Sequence, residues 1–288
     1  MIEPTAVGTG STTSRQVSDP AVAADWARNV AAAAEASPSP RVVVREYLTE
    51  AARAAAADTA HELALALARR GVAHLVLTGG SGGEAVAGLL GPALAADGVV
   101  PGAGLEQVHL WFGDERFVPV GHPDRNDVLA TALVEAGVPE ENVHRVAGPE
   151  TVTDVRASAS ALAADLDAAG PADGVLDVVH LGLGPDGHVA SLFPGHPDAA
   201  ATGVTTVAVT DSPKPPPERV SLTFEMIQAA RAVMVIAGGR GKAEVVARGL
   251  AGPDPVTTPG SCARGARSTT WYLDEAAAAG LPARGNGD

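Results

Sequence analysis

With 288 residues and a hydrophobic fraction of 46%, the chain can fill one large α/β core or two small ones, and aromatics at only 3% leave the packing to aliphatic side chains. Its 20 Lys and Arg against 34 Asp and Glu give a formal net charge of -14, which argues against nucleic acid or an anionic membrane as a general partner and obliges any anionic ligand to find a local basic pocket. The single cysteine, Cys262, excludes an internal disulfide and a metal-thiolate cluster; with no signal-type apolar run beside Glu3 and no stretch of roughly 18 uncharged apolar residues, the reading is a cytoplasmic protein without a membrane segment.

Residues 1–40 are rich in Ala, Ser, Thr, Gly and Pro and end in Ser37-Pro38-Ser39-Pro40. They read as a mostly flexible leader, with a helical period only around Val22 to Ala34. A single domain spanning 41–288 is expected after it. Arg41-Val42-Val43-Val44 reads as a first strand and Leu48 to Arg70 as an Ala-rich helix. Ala73 to Thr78 is a second, buried strand, followed at once by Gly79-Gly80-Ser81-Gly82-Gly83 and a helical run from Glu84 to about Ala96. Strand, glycine loop and helix together can cradle a phosphate, because successive backbone N–H groups point into one concavity and the helix start adds partial positive charge. Taken alone, such a Gly/Ser run is more often a flexible turn.

Gln107 to Phe112 is a third strand that delivers Gly113-Asp114-Glu115-Arg116 to the same sheet edge. Either this is a charged surface turn, or Asp114 and Glu115 orient hydroxyls or a water while Arg116 offers its planar fork to an anion. Asn126 to Ala136 reads as a helix, Asn142 to Val146 as a short strand and Asp154 to Ala169 as a further helix. The apolar run Val175 to Val179 then breaks at Gly182, where Gly182, Gly184, Pro185 and Gly187 stop regular structure and Asp186 and His188 stand two residues apart at the bend. Chemistry in open parallel sheets collects at such strand ends.

Val204 to Val209 continues the strand pattern. In the proline run from Asp211 to Glu218 a stiff connector is the ordinary reading, but a rigid loop can also hold the Arg219 guanidinium in place, with Ser221 capping a helix to about Ala230. Lys214 reads equally well as a solvated charge. Ala232 to Ile236 is the last central strand, and Gly238-Gly239-Arg240-Gly241-Lys242 opens a helix to about Gly249, so Lys242 either reaches a phosphate or stands exposed on a capped helix. A loop to Arg267, a strand from Ser268 to Leu273 and a short helix from Asp274 to Ala279 close the chain. The alternation predicts right-handed crossovers and an α/β, Rossmann-like, mostly parallel sheet with helices on both faces. His180, His188 and His196 are eight apart, which is no metal-ligand spacing, so no metal is expected and His180 reads as core. Neither Ser81 nor Ser191 lies in a Gly-x-Ser-x-Gly elbow.

The block GLGPDGHVASLFP at 182–194 closely resembles the signature of the 6-phosphogluconolactonases, and the glycine loop at 79–83, WFGDER at 111–116 and SPKPPPER at 212–219 resemble three further blocks of that family. The resemblance covers residues 41 to about 250. It implies a Rossmann-like fold, hydrolysis of 6-phospho-D-glucono-1,5-lactone to 6-phospho-D-gluconate in the pentose phosphate pathway, no required cofactor, a small-molecule sugar-phosphate substrate, and a monomer or homodimer. The chain departs from the family at Gly82-Gly83, where Thr-Pro is common. It departs again at Asp124-Arg125-Asn126-Asp127, where Asp-Ser-Asn-Tyr is usual; Asn126 therefore carries over, and Arg125 and Asp127 do not.

On this reading the sugar phosphate meets Gly79, Gly80, Ser81, Gly82, Asp114, Arg116, Asn126, Gly187, Arg219 and Lys242. Lactone hydrolysis needs a water made nucleophilic and donors for the developing oxyanion. His188 suits the first task, and a place in the first turn of a helix would keep its ring neutral. Asp186 either orients that imidazole or holds a substrate hydroxyl, and amides of the glycine turn face the oxyanion. The nearest rival is the related glucosamine-6-phosphate deaminase family, which has a glutamate five residues after the histidine where this chain has Phe193. A non-catalytic sugar-phosphate sensor would be expected to carry a helix-turn-helix module, for which the leader is too short and too poor in basic residues.

Overall fold

The computed structural model describes residues 20–95 and 104–282. Strands run β1 (Arg41–Arg45), β2 (Ala73–Leu77), β3 (Val108–Phe112), β4 (Asp114–Arg116), β5 (Val178–Gly182), β6 (Thr206–Val209), β7 (Arg219–Leu222), β8 (Ala232–Ala237) and β9 (Ser268–Asp274). Helices run α1 (Pro20–Ala36), α2 (Leu48–Arg70), α3 (Gly80–Ala95), α4 (Thr131–Glu135), α5 (Val155–Ala169), α6 (Phe224–Ala229), α7 (Ala243–Ala251) and α8 (Glu275–Ala278). Six strands form one sheet in the order β1-β9-β8-β5-β2-β3, every pair parallel. Non-consecutive neighbours and crossover helices are the mark of a doubly wound α/β fold.

The sequence explains the layers. Every residue of β2 and β8 is buried, as central strands covered on both faces must be. Side chains alternate across β3: Leu110 and Phe112 join Leu63 of α2 and Leu90 of α3 on one face, while Trp111 joins Leu162 of α5 and Phe224 of α6 on the other. Alanines 51, 52, 55, 56 and 60 are all buried on α2, so this helix approaches the sheet closely with little side-chain volume between. It stops at Gly71, which takes a φ of 75° and returns its N–H to the Leu67 carbonyl. Among the described residues no helix is long and apolar enough to cross a membrane.

Several sequence expectations change. Residues 1–19 of the expected leader lie outside the described residues, but 20–36 form a helix that buries Trp26, Val30 and Ala34, with Trp26 6.0 Å from Phe224. β6 does not extend the parallel sheet. It belongs to a separate antiparallel sheet, β4-β7-β6, because a strand buried throughout shows the same apolar run in either arrangement. Arg219–Leu222 is a strand rather than a loop, and the helix after it is capped by Thr223, whose Oγ1 accepts from the Met226 N–H, not by Ser221. The strand expected at 142–146 reduces to one bridge, Leu110 with Val143. The helix expected from Asn126 is a 3-10 turn at 127–130 followed by α4. α3 begins at Gly80, not Glu84, so the glycines form its first turn. A Cβ on Gly82 would stand 2.4 Å from the Ile236 carbonyl oxygen, and one on Gly83 only 1.7 Å from that of Thr78. The family's Thr-Pro cannot occupy this backbone, which is the physical sense of the departure.

Candidate active site

The carboxyl ends of β2, β5 and β8, together with β4, border an open cleft of about 180 Å³. Gly79 and, from the first turn of α3, Gly80, Ser81 and Gly82 supply the glycine wall; β4 supplies Asp114 and Arg116; the turn after β5 supplies His188; and Lys214, Arg219 and Lys242 complete the lining. Nine of the residues expected at the site therefore line one cavity. Asp186, Gly187 and Asn126 do not line it and stand behind those that do. Thr78 ties two strand ends together, its hydroxyl accepting the Gly182 N–H at 3.1 Å.

His188 is held from its Nδ1 side. Asp186 Oδ1 lies 2.5 Å from Nδ1, so the ring presents Nδ1–H to the carboxylate and leaves the Nε2 lone pair free to accept a proton. Burial pushes the Asp186 carboxyl up, but the hydrogen bond from His188 and the Lys214 charge outweigh it and hold the group well below the usual carboxylate range. The turn is built to fit: a Cβ on Gly184 would meet His188 Nδ1 at 2.0 Å, and Gly187 takes a φ of 99°. Phe193 is buried beneath, its ring centroid 4.6 Å from that of His188. His188 lies in an irregular turn, not in a helix. The expected helix dipole does not act on it, and the charges that face it are Asp186 and Lys214.

Lys214, which the sequence left open between a site role and a solvated charge, lines the cleft. Its Nζ lies 3.4 Å from Asp186 Oδ1 and 3.2 Å from His188 Nδ1. With Nδ1 already donating, the ammonium serves Asp186 and shares the carboxylate with the imidazole. A signal existed in the proline run, which fixes a lysine backbone as firmly as an arginine one. Arg219 shows how: it is 4% exposed, with Nε donating to the Pro216 carbonyl at 3.1 Å and Nη2 to those of Lys214 at 3.1 Å and Pro215 at 3.2 Å. Its remaining Nη1 is 3.8 Å from Asp114. Burial lowers the proton affinity of both Arg219 and Lys242, the latter further through the neighbouring Lys214 charge. Lys242 ends a 3-10 turn and precedes α7.

Asp114 is fixed by the Ser191 hydroxyl, which donates to it at 2.6 Å, so Ser191 is the packed hydroxyl its sequence context suggests. Asn126 works from behind the wall. Its Nδ2 donates to the Asp114 carbonyl at 2.8 Å, its Oδ1 accepts from Arg116 at 3.0 Å, and a Cβ on Gly79 would strike that Oδ1 at 2.1 Å. Glu115 does not reach the cleft, contrary to the role suggested for it. It is fully buried and accepts the backbone N–H groups of Arg116, Asn126 and Asp127, while burial pushes it up to about 7 against the pull of those donors. Arg125 and Asp127, which break the family pattern, pair with each other at 2.7 Å; Arg125 also donates to the Val118 and Val146 carbonyls. His180 is core: fully buried, with Nε2 2.8 Å from the Thr59 hydroxyl. Among the described residues no three His, Cys, Asp or Glu side chains gather as a metal site would need.

Fold and cleft together define an α/β protein with a small cationic site at the strand ends, four basic side chains facing it in a chain of net charge -14. The family model for glucosamine-6-phosphate isomerases/6-phosphogluconolactonase matches residues 47–271, and the chain belongs to that family. Within it, a 6-phosphogluconolactonase of Streptomyces coelicolor is 41% identical over 85% of this chain and 96% of its own. One of Mycobacterium tuberculosis is 40% identical over 75% and 88%. The solved 6-phosphogluconolactonase from Trypanosoma cruzi superposes with a TM-score of 0.73 at 26% identity, covering 85% of this chain and 98% of that one.

Proposed function

We infer that the chain hydrolyses 6-phospho-D-glucono-1,5-lactone to 6-phospho-D-gluconate, with His188 activating the water and no metal taking part. The carrying observation is the Asp186–His188 pair at 2.5 Å, with Nε2 left free on a residue that lines the cationic cleft. In this reading the phosphate rests on the amides at the start of α3 and on Arg219 and Lys242, where helix dipole and cations add. Water beside Nε2 attacks C1 of the lactone as its proton passes to the imidazole, and the carbonyl oxygen becomes an oxyanion. Collapse of that intermediate breaks the bond from C1 to the ring oxygen, which takes the proton back from His188. The acid formed then ionises to the carboxylate. Asp186 and Lys214 steady the ring through both transfers.

The deaminase reading has a specific observation against it. Phe193 is 1% exposed and places an apolar ring, not a carboxylate, beside His188. Turnover is to be measured for the lactone and, as ammonia release, for glucosamine 6-phosphate, before and after exhaustive chelation. Lactone hydrolysis that survives chelation, without ammonia release, is the expected result. Ammonia release, or loss of activity restored by a divalent ion, would overturn this assignment.

A further inference from the structure

At the amino ends of the strands, opposite the site above, a second cleft of about 530 Å³ is lined by Arg69, Arg70, Arg231 and Arg267 together with Glu62 and Asp177. Four guanidiniums stand against Glu62, Asp177 and, just outside the lining, Asp173, which leaves a surplus of one positive charge in a strongly acidic chain. Part of that cation set is structural. Asp177 is buried at the start of β5, accepts the His74 N–H at 2.9 Å, and is flanked by Arg70 and by Arg231 Nε at 3.2 Å. Arg231 also reaches Asp173, outside the lining, and Arg267 reaches Glu62.

The remainder is not accounted for. The partial negative charge at the end of α2 explains Arg69 and Arg70, but not Arg231 and Arg267, which arrive just before β8 and β9 from other parts of the chain. Arg69 has no ion-pair or hydrogen-bond partner among the described residues. The Arg267 side chain stays 46% exposed despite its pair. Planar forks at the rim of a cleft with a positive surplus, the unpaired Arg69 beside the half-exposed Arg267, match an anion with several acceptor oxygens. We propose that this cleft is a second anion site, for the phosphate monoester group of a small metabolite, separate from the cleft that holds His188.

The probe is inorganic phosphate, titrated calorimetrically at low ionic strength, where exposed charges are least screened. The wild-type protein should bind two equivalents. An Arg219→Ala/Lys242→Ala variant should keep one, and adding Arg69→Ser and Arg267→Ser should weaken that remaining site at least tenfold. Arg69→Ser/Arg267→Ser alone, both at exposed positions, should leave lactone turnover at the wild-type rate, which reports that the protein is folded. A single equivalent in the wild type that disappears with Arg219 and Lys242, or a second site indifferent to Arg69 and Arg267, would show the four arginines to be an ion-pair network and nothing more.

Discussion

Acid should destabilise this protein chiefly through two buried histidines remote from the His188 turn. His74 is 2% exposed, and burial, then the charges of His109, His144 and Arg70, push it down to about 4 against a smaller opposing pull from Asp173. His180 is fully buried and pushed by desolvation to about 4. Both must accept a partner's hydrogen or donate their own in fixed geometry: His74 Nδ1 accepts from Trp111 Nε1 at 3.2 Å, and His180 Nε2 meets Thr59 at 2.8 Å. Unfolded, each ring titrates near 6.5. Between about 6.5 and 4 the unfolded chain therefore binds more protons than the folded one. Stability is complete above that window and lost as pH falls through it. Each ring costs about 2 kcal/mol at pH 5 and about 3 kcal/mol once pH passes below 4. His144, also lowered to about 4, adds to the loss, while Glu115, pushed up to about 7, gains stability over the same interval and roughly offsets it. Urea unfolding followed by tryptophan fluorescence, near pH 7.5 and near pH 5, should therefore show a net loss of about 4 kcal/mol, roughly 1 to 2 M in midpoint. His74→Gln and His180→Gln lower the starting stability, but each should remove about half of the pH-dependent loss. If both variants retain the full wild-type dependence, the acid sensitivity lies elsewhere and the reasoning fails.

Three further outcomes can be checked. Gly83→Ala sets a Cβ against the Thr78 carbonyl oxygen, so the start of α3 must shift; a loss of about 1 to 3 kcal/mol in urea unfolding and a raised KM are expected, and an unchanged KM would mean that the glycine turn does not hold the phosphate. Lys214→Met removes the ammonium that shares Asp186 with His188; kcat should fall roughly tenfold with a much smaller change in KM, whereas the reverse pattern would make Lys214 a substrate ligand. Arg125→Met leaves Asp127 and Glu115 without their buried cation and should cost about 3 to 5 kcal/mol of stability, a cost that Arg125→Met combined with Asp127→Leu should partly restore.

What the chain disclosed in advance follows from how far apart the cooperating residues are. β2, β5 and β8 were readable as buried apolar runs, and α2 matched its expected limits, because each is decided by its own neighbours. The Asp186–His188 pair was readable for the same reason, two residues apart at a glycine turn. The antiparallel placement of β6 and β7 was not, since an apolar strand gives no sign of its partner's direction. Docking of α1 depends on Trp26 meeting Phe224 about two hundred residues later in the chain. Lys214 stayed undecided because lysines in proline loops usually face solvent, and its contact with Asp186 exists only in three dimensions. Arg125 and Asp127 looked like isolated departures and are one compensated pair.

The central claim is that the Nε2 of His188 removes the proton from the attacking water. The direct measurement is kcat for lactone hydrolysis by His188→Ala, with binding of 6-phosphogluconate to the same preparation measured alongside. The account predicts a fall in kcat of roughly a hundredfold or more while the product binds within a few-fold of wild type. Turnover near the wild-type rate in that variant, with binding intact, would contradict it.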